Sequence, residues 1–417
     1  MKKLRSIWLL TTLLCGAQAL RAQALRAQGD SAGRVMRTQE DSAGRVTRAQ
    51  EDTAKKEHKF TVKGYLKYLE LASFTGDATK LITDQLIHNR LNLRYQPDAY
   101  WNLRLEVRNR IYYGQLVQSY PGFDSLVTSG GGTLDLSRNW VARNAVLANS
   151  TIDRASVEYS RGKWDITAGR QRINWGINTV WTPNDIFNTF NYFDFDYEER
   201  PGSDAARVQY NFTGSSSLEL AASPGKTPGK DIAAALLHLN RWSYDFQVFS
   251  GVYQQDITAG AGWAGNIGGA GFKGEFSYFD PLRKNADTAA FVTSLSVDYA
   301  FRDGIYVLVS GLYNSQGGNS LINITQLQSA TLSAKNIFPF RYTAFAEASY
   351  SFSPILKSSF AGMYSPSGNS LILLPTLTYS IANNWTLDLV AQSFFSRQDG
   401  SYRGIGTSLY LRIKWGF

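Results

Sequence analysis

Along most of the chain, apolar residues recur at every second position. In 100–113, Leu103, Leu105, Val107 and Ile111 share one parity, while Arg104, Glu106, Arg108 and Arg110 hold the other. The segment 85–96 splits the same way, with Leu91, Leu93 and Tyr95 set against His88, Arg90, Asn92 and Arg94. A period of two marks an extended strand whose faces meet different surroundings. Eighteen such strands are predicted, over 60–72, 85–96, 100–113, 151–160, 164–174, 204–212, 217–222, 232–240, 243–254, 258–267, 270–279, 290–300, 305–313, 342–352, 355–364, 370–380, 385–396 and 405–417. The segments 217–222 and 258–267 alternate weakly, so counts of 14 and 16 strands stay open. Short polar links such as Pro97-Asp98 and Arg161-Gly162-Lys163 alternate with long connections at 114–150, 175–203 and 314–341.

The last strand is the purest: Leu409, Leu411, Ile413, Trp415 and Phe417 fall on one parity with Ile405, and Tyr410, Arg412 and Lys414 on the other. Apolar side chains facing out and polar ones facing in suit a wall between lipid and water. The expected fold is therefore all-β, a transmembrane antiparallel up-and-down barrel over 58–417. Aromatic residues make up 13% of the chain, enough for girdles at two interfaces, and no segment after the N-terminus is a continuous apolar run long enough for a spanning helix. The terminal aromatic strand resembles the C-terminal signal by which outer-membrane barrels are recognised, which implies the barrel-assembly machinery as a partner.

Met1-Lys2-Lys3-Leu4-Arg5, an apolar stretch to Leu14 and Ala17-Gln18-Ala19 form the pattern of a secretory signal peptide over 1–19. The stretch is shorter than a membrane anchor. Cys15 is the chain's one cysteine, preceded by Leu14 where a lipid-modifying peptidase wants a small residue. Removal of the signal leaves no thiol for disulfides, cysteine-ligated metals or nucleophilic catalysis. Residues 20–57 contain an 11-residue duplication, Asp30 to Glu40 and Asp41 to Glu51, too poor in apolar residues for a packed coiled coil and expected as a disordered periplasmic tail.

The formal charge of +9 includes Lys2, Lys3 and Arg5 of the signal, leaving a modest +6 that does not indicate nucleic-acid binding. Position matters more than the sum. Parity points Arg90, Arg94, Arg104, Glu106, Arg108, Arg110, Arg154, Glu158, Arg207, Arg412 and Lys414 into the lumen, a pore-lining basic ladder. The bland reading is mutual pairing across strands. The functional one is a positive potential favouring anionic or carboxylated solutes.

Alternation stops at Gly169-Arg170-Gln171-Arg172, and the following loop carries Trp175, Trp181, Asp185, Phe187, Asp194, Asp196, Glu198 and Glu199 among further aromatics. So many rings are a liability in solvent, so the loop is expected to fold inward as a constriction. Its G-R-Q strand end, W-G turn and P-x-D-x-F run resemble porin-like outer-membrane barrels of Gram-negative bacteria. The resemblance implies a channel in the cell outer membrane for passive diffusion of small hydrophilic solutes, with loop acids facing wall arginines. Calcium at the acidic run and sugar stacking on the aromatics are the weighed alternatives. No cofactor or metal is called for.

Histidine is limited to His58, His88 and His238, and the latter two take the lumenal parity, which disfavours a lipid-facing hydrolase. A barrel enzyme acting on lipid or peptide, or a polymer export or assembly barrel, are the other classes. Only a short segment precedes the first strand, too little for a globular plug. The solute and any homo-oligomer are open at this level.

Overall fold

The computed structural model describes residues 59–74, 81–128, 132–188, 202–283, 288–318, 333–398 and 400–417. The signal peptide, the repeat-bearing tail and His58 fall outside these residues.

The strands are β1 (Phe60–Phe74), β2 (Ile82–Tyr95), β3 (Trp101–Gly114), β4 (Ser137–Arg143), β5 (Val146–Arg161), β6 (Trp164–Gln171), β7 (Ser203–Asn211), β8 (Ser217–Ser223), β9 (Ile232–Arg241) and β10 (Tyr244–Tyr253). They continue with β11 (Asp256–Ile267), β12 (Ala270–Pro281), β13 (Ala290–Ala300), β14 (Ile305–Asn314), β15 (Tyr342–Ser353), β16 (Leu356–Ser365), β17 (Ser370–Ala382), β18 (Trp385–Gln398) and β19 (Ser401–Gly416). Two short helices, α1 (Gln115–Ser119) and α2 (Phe123–Thr128), lie between β3 and β4.

Each wall strand pairs antiparallel with its neighbours, and β1 pairs with both β2 and β19, so the sheet closes on itself. Eighteen strands form the wall, as the alternation predicts, and the counts of 14 and 16 fall away. Both weak segments are wall strands, β8 and β11. The nineteenth strand, β4, runs beside Val146–Thr151 of β5, along the stretch above the point where β6 ends. Because β5 begins at Val146, the connection expected over 114–150 contains two helices and two strand segments.

Exposure is inverted relative to a soluble protein. Apolar residues of one parity, such as Leu66, Ile87, Leu105 and Val309, are exposed, while Lys67, His88, Arg90 and Arg110 of the other are almost wholly buried. A lipid-facing exterior and a packed, polar interior produce this pattern. At the end holding the final residue, ring pairs of the outer face mark an interface girdle: Trp101 with Tyr159 at 4.8 Å, Trp164 with Tyr210 at 4.7 Å and Trp385 with Trp415 at 6.0 Å. Tight turns there need left-handed backbone, supplied by Gly162 at φ 61° and Asn384 at φ 66°.

Among the register shifts of the wall, two redirect side chains that matter to the interior. Between Glu106 and Val107 the register of β3 with β5 slips, so that Arg154 faces Glu106 and Ile152 faces Val107. Asp153 occupies the extra position and turns inward beside Arg154, both buried. A second slip, between Phe394 and Phe395, frees Ile405 to pack against an interior cluster rather than continue the outer face of β19.

Candidate channel interior

Registers place the predicted basic residues in rows around β19, β1, β2, β3 and β5. Arg94 pairs with Arg104, Arg90 with Arg108, and His88 with Arg110 across β2 and β3, while Lys67 of β1 faces His88 on one side and Lys414 on the other. Like charges directly opposite one another are destabilising. The compensation is a set of acids reached diagonally. Arg90 Nη1 donates to Asp153 at 2.7 Å and its Nη2 to Glu106 at 2.5 Å, while Arg108 reaches the other Asp153 oxygen at 3.2 Å. Arg154 donates to the carbonyl of Asp153 at 2.9 Å, and Arg110 to Asn149 at 3.2 Å and to the carbonyl of Val127 at 3.0 Å. These four arginines are buried.

Toward the end that holds Phe60 and Phe417, the wall opens. Arg104, with 48% of its side chain exposed, pairs with Glu158 at 3.0 Å. Arg94, also exposed, donates to Asn102 at 2.8 Å, whose amide donates in turn to Glu158 at 2.7 Å. On β19, Arg412 binds Asp388 at 2.7 Å, and Lys414 stands 4.6 Å from the centre of the Tyr65 ring. The Tyr65 hydroxyl lies 3.2 Å from His88 Nε2. Arg207 stands apart from this group, 3.8 Å from Glu219 on β8.

The inward departure of the chain begins at a clamp. Arg170, near the end of β6, binds Asp204 of β7 through Nε and Nη2, both at 2.8 Å. Its Nη2 also donates to the carbonyl of Leu134, whose N–H donates to Asp204 at 2.8 Å. A bidentate guanidinium–carboxylate pair fixes direction as well as distance. Beyond it, Ile173, Trp175, Val180, Trp181, Ile186 and Phe187 are all buried against the interior.

Glu275 of β12 anchors this segment. Its carboxylate, with no exposed surface, accepts the backbone N–H groups of Ile177 and Asn178 on one oxygen and that of Asn184 on the other at 3.0 Å. Trp175 donates its indole N–H to Glu219 at 2.7 Å, and Gln247 donates to the Trp175 carbonyl at 2.7 Å. Asn178 and Trp181 share Ser294 of β13, at 2.6 and 2.9 Å. A loop without regular structure can be buried only if its polar backbone finds partners, and the wall supplies them.

Two other stretches fold inward. Residues 333–340 bring Ile337, Phe338 and Phe340 into contact with Trp181, whose ring centre is 6.2 Å from that of Phe338. Asn314 holds this stretch by donating to the Phe338 carbonyl at 2.6 Å and to Asn336 at 2.7 Å. Helices α1 and α2 lay Leu116 and Phe123 over Leu69, Leu71, Leu86, Tyr112 and Leu147, an apolar layer beyond the basic rows. The Leu116 N–H donates to Asp84 at 2.7 Å. Both stretches fall in connections whose inward course the alternation of the strands does not signal. Their own apolar runs, Ile337-Phe338-Pro339-Phe340 and Leu116-Val117, carry the same warning as the rings of Trp175 and Trp181.

Among the expected constriction residues, Trp175, Trp181 and Phe187 line the packed side of the inward segment, and Asp185 is buried beside Asn188, whose amide reaches it at 3.5 Å. Asp194, Asp196, Glu198 and Glu199 fall outside the described residues. Lys67, Asp84, Asp153, Glu219, Asp256, Glu275, Glu347 and Asp388 are buried interior charges that spacing does not single out. Asp153 had a signal: strict alternation from Arg154 places it in lipid, where a carboxylate is costly.

No family model matches the sequence, and no curated protein matches it. Among solved structures the chain is similar to OccAB4 of Acinetobacter baumannii, at a TM-score of 0.56 and 9% identity over 87% of this chain and 99% of that one. It is also similar to OccK3 (OpdO) of Pseudomonas aeruginosa, at 0.53 and 8% identity over 86% and 95% of the two chains. OccK11 (OpdR) of the same organism gives 0.52 and 10% identity over 86% and 96%. These neighbours are outer-membrane porins, and what the chain shares with them is the eighteen-stranded closed antiparallel barrel.

Proposed function

We propose that this chain is an outer-membrane channel of a Gram-negative bacterium through which small hydrophilic solutes diffuse passively, anionic ones being favoured. The observation that carries the reading is the asymmetry of the interior. Basic rows on β19, β1, β2, β3 and β5 stand on one side, and a segment tied down by Glu275 packs along β8 to β13 on the other. Charged walls in a narrow, partly desolvated passage set selectivity. The fold supports the reading because a barrel this wide encloses an aqueous path unless segments fold in to narrow it.

Export by a cleaved signal and delivery of β19 to the barrel-assembly machinery belong to the same proposal, resting on the N-terminal pattern and the terminal Phe417. A hydrolytic barrel gains no support from the two described histidines: His88 is buried against Tyr65, and His238 lies 3.9 Å from Asp245.

The deciding experiment is single-channel recording of the refolded protein in planar bilayers under a salt gradient. Stable open steps with a reversal potential of anion-selective sign are expected. A silent bilayer from correctly folded protein would sink the channel reading.

A further inference from the structure

The apolar outer face of the barrel is interrupted by polar side chains, among them Glu70 with Gln85 and Ser393 with Thr407, and the most extended of these interruptions is a ramp across three strands. Asn89 of β2, Asn109 of β3 and Ser150 of β5 lie in register on the lipid-facing parity. They form a chain: Asn109 donates to Asn89 at 3.1 Å, and Ser150 donates to Asn109 at 2.6 Å. Trp140 of β4 extends it by donating its indole N–H to Ser150 at 2.9 Å.

Strand tilt carries this row upward from β2 to β4. Asn109 lies eight positions beyond the girdle residue Trp101 in β3. At about 3.3 Å per residue and a tilt of ~40°, that is ~20 Å, near the far edge of an apolar band ~25 Å tall. The polar chain therefore ends at the external membrane boundary, on β4.

There the outward positions of β4 are cationic and amphipathic. Arg138 pairs with Ser150, Val141 with Ala148 and Arg143 with Val146, all on the outer parity of β5. Arg138, Trp140, Val141 and Arg143 are all exposed. The Arg138 guanidinium lies 5.2 Å from the centre of the Trp140 ring, and among the described residues that of Arg143 has no hydrogen bond or ion pair.

We infer that this face binds the phosphorylated saccharide headgroup of an outer-leaflet glycolipid. Two arginines spaced along a strand at headgroup level match phosphate groups. The indole and the amide ramp offer an aromatic face and hydrogen-bond partners to sugar, and exposed Leu103 and Leu105 on the same outer parity, on the membrane side of the ramp, meet acyl chains. Such a ligand is confined to the external leaflet, the level at which the ramp ends. The inference rests on the outer-membrane reading above but not on conduction.

Native mass spectrometry of the refolded full-length protein, titrated with lipopolysaccharide carrying its lipid A phosphates, tests it. The expected result is retention of the glycolipid, with binding weakened at least tenfold by enzymatic removal of the phosphates and by Arg138→Gln combined with Arg143→Gln. Arg143→Gln alone, at a side chain with no partner to lose, should weaken it severalfold, and Arg161→Gln at the opposite rim should leave it unchanged. Equal binding of the dephosphorylated glycolipid, equal competition by phosphatidylglycerol, or indifference to the double substitution would each overturn the proposal. Bilayer recordings of the same samples separate the two readings: glycolipid retention without conductance removes the channel and leaves this site standing.

Discussion

Asp153 is the buried counter-charge of two arginines at once. It bridges Arg90 and Arg108, which face each other across β2 and β3 and would otherwise repel. Removing one member of a buried charge set leaves the others uncompensated and costs about 3–5 kcal/mol. Asp153→Ala is therefore expected to lower the urea midpoint of unfolding, read by the heat-dependent gel shift of the barrel, more than Glu158→Ala at the open mouth does. On the proposed channel reading, selectivity rests with other residues. Arg94 and Arg104 are exposed, so Arg94→Gln with Arg104→Gln should shift the reversal potential toward neutrality with little loss of stability. Unchanged selectivity in that pair would move the selective element up to the buried rows. Parity alone makes all these arginines equal members of a ladder. Burial divides them into a fixed interior set and a solvent-facing set, because a bulge, signalled in the sequence only by a carboxylate at a lipid-facing parity, delivers the counter-charge.

At the scale of elements, the inward segment behaves as a part bolted to the wall at several places, among them Glu275, Ser294, Glu219 and Gln247. Glu275→Ala strips partners from three backbone N–H groups and should give larger, noisier current steps than wild type. Steps of unchanged size would show that hydrophobic packing alone holds the constriction. Trp181 joins this segment to residues 333–340 through Phe338 and to the wall through Phe345 at 6.4 Å. Trp181→Ala, at about 3–5 kcal/mol for an emptied aromatic site, should loosen both segments together, raising proteolytic cleavage within 333–340 as well as within 172–188. Strand identity was readable from the chain even in Ser217–Ser223 and Asp256–Ile267, because period two survives the replacement of large residues by Gly and Ala. The destinations of the long connections were readable only where rings accumulate. Glu275 looks like any lumenal acid between Phe272 and Phe276, and nothing in its neighbours foretells three backbone donors arriving from about ninety residues away.

For the whole molecule, apolar exposure on the outside and buried charge on the inside exchange the usual roles of core and surface, and both follow from one alternation read around a closed sheet. Likeness to solved barrels at 8 to 10% identity is the expected counterpart. A lipid face asks only for apolar side chains and a lumen only for polar ones, so the wall constrains residue class far more than residue identity.

The pairing of β1 with β19 sets a condition in time. Tyr65 to Phe74 find their partners only at Thr407 to Gly416, more than 330 residues later in the chain. Until then every intermediate carries two raw sheet edges, and no fragment lacking the terminus can hide them. Along that join Lys67 meets Lys414, a repulsion softened by the ring of Tyr65 between them. The join closes the sheet, and an escort that occupies the edge of β19 until the first strand arrives would shield the chain while its edges are open.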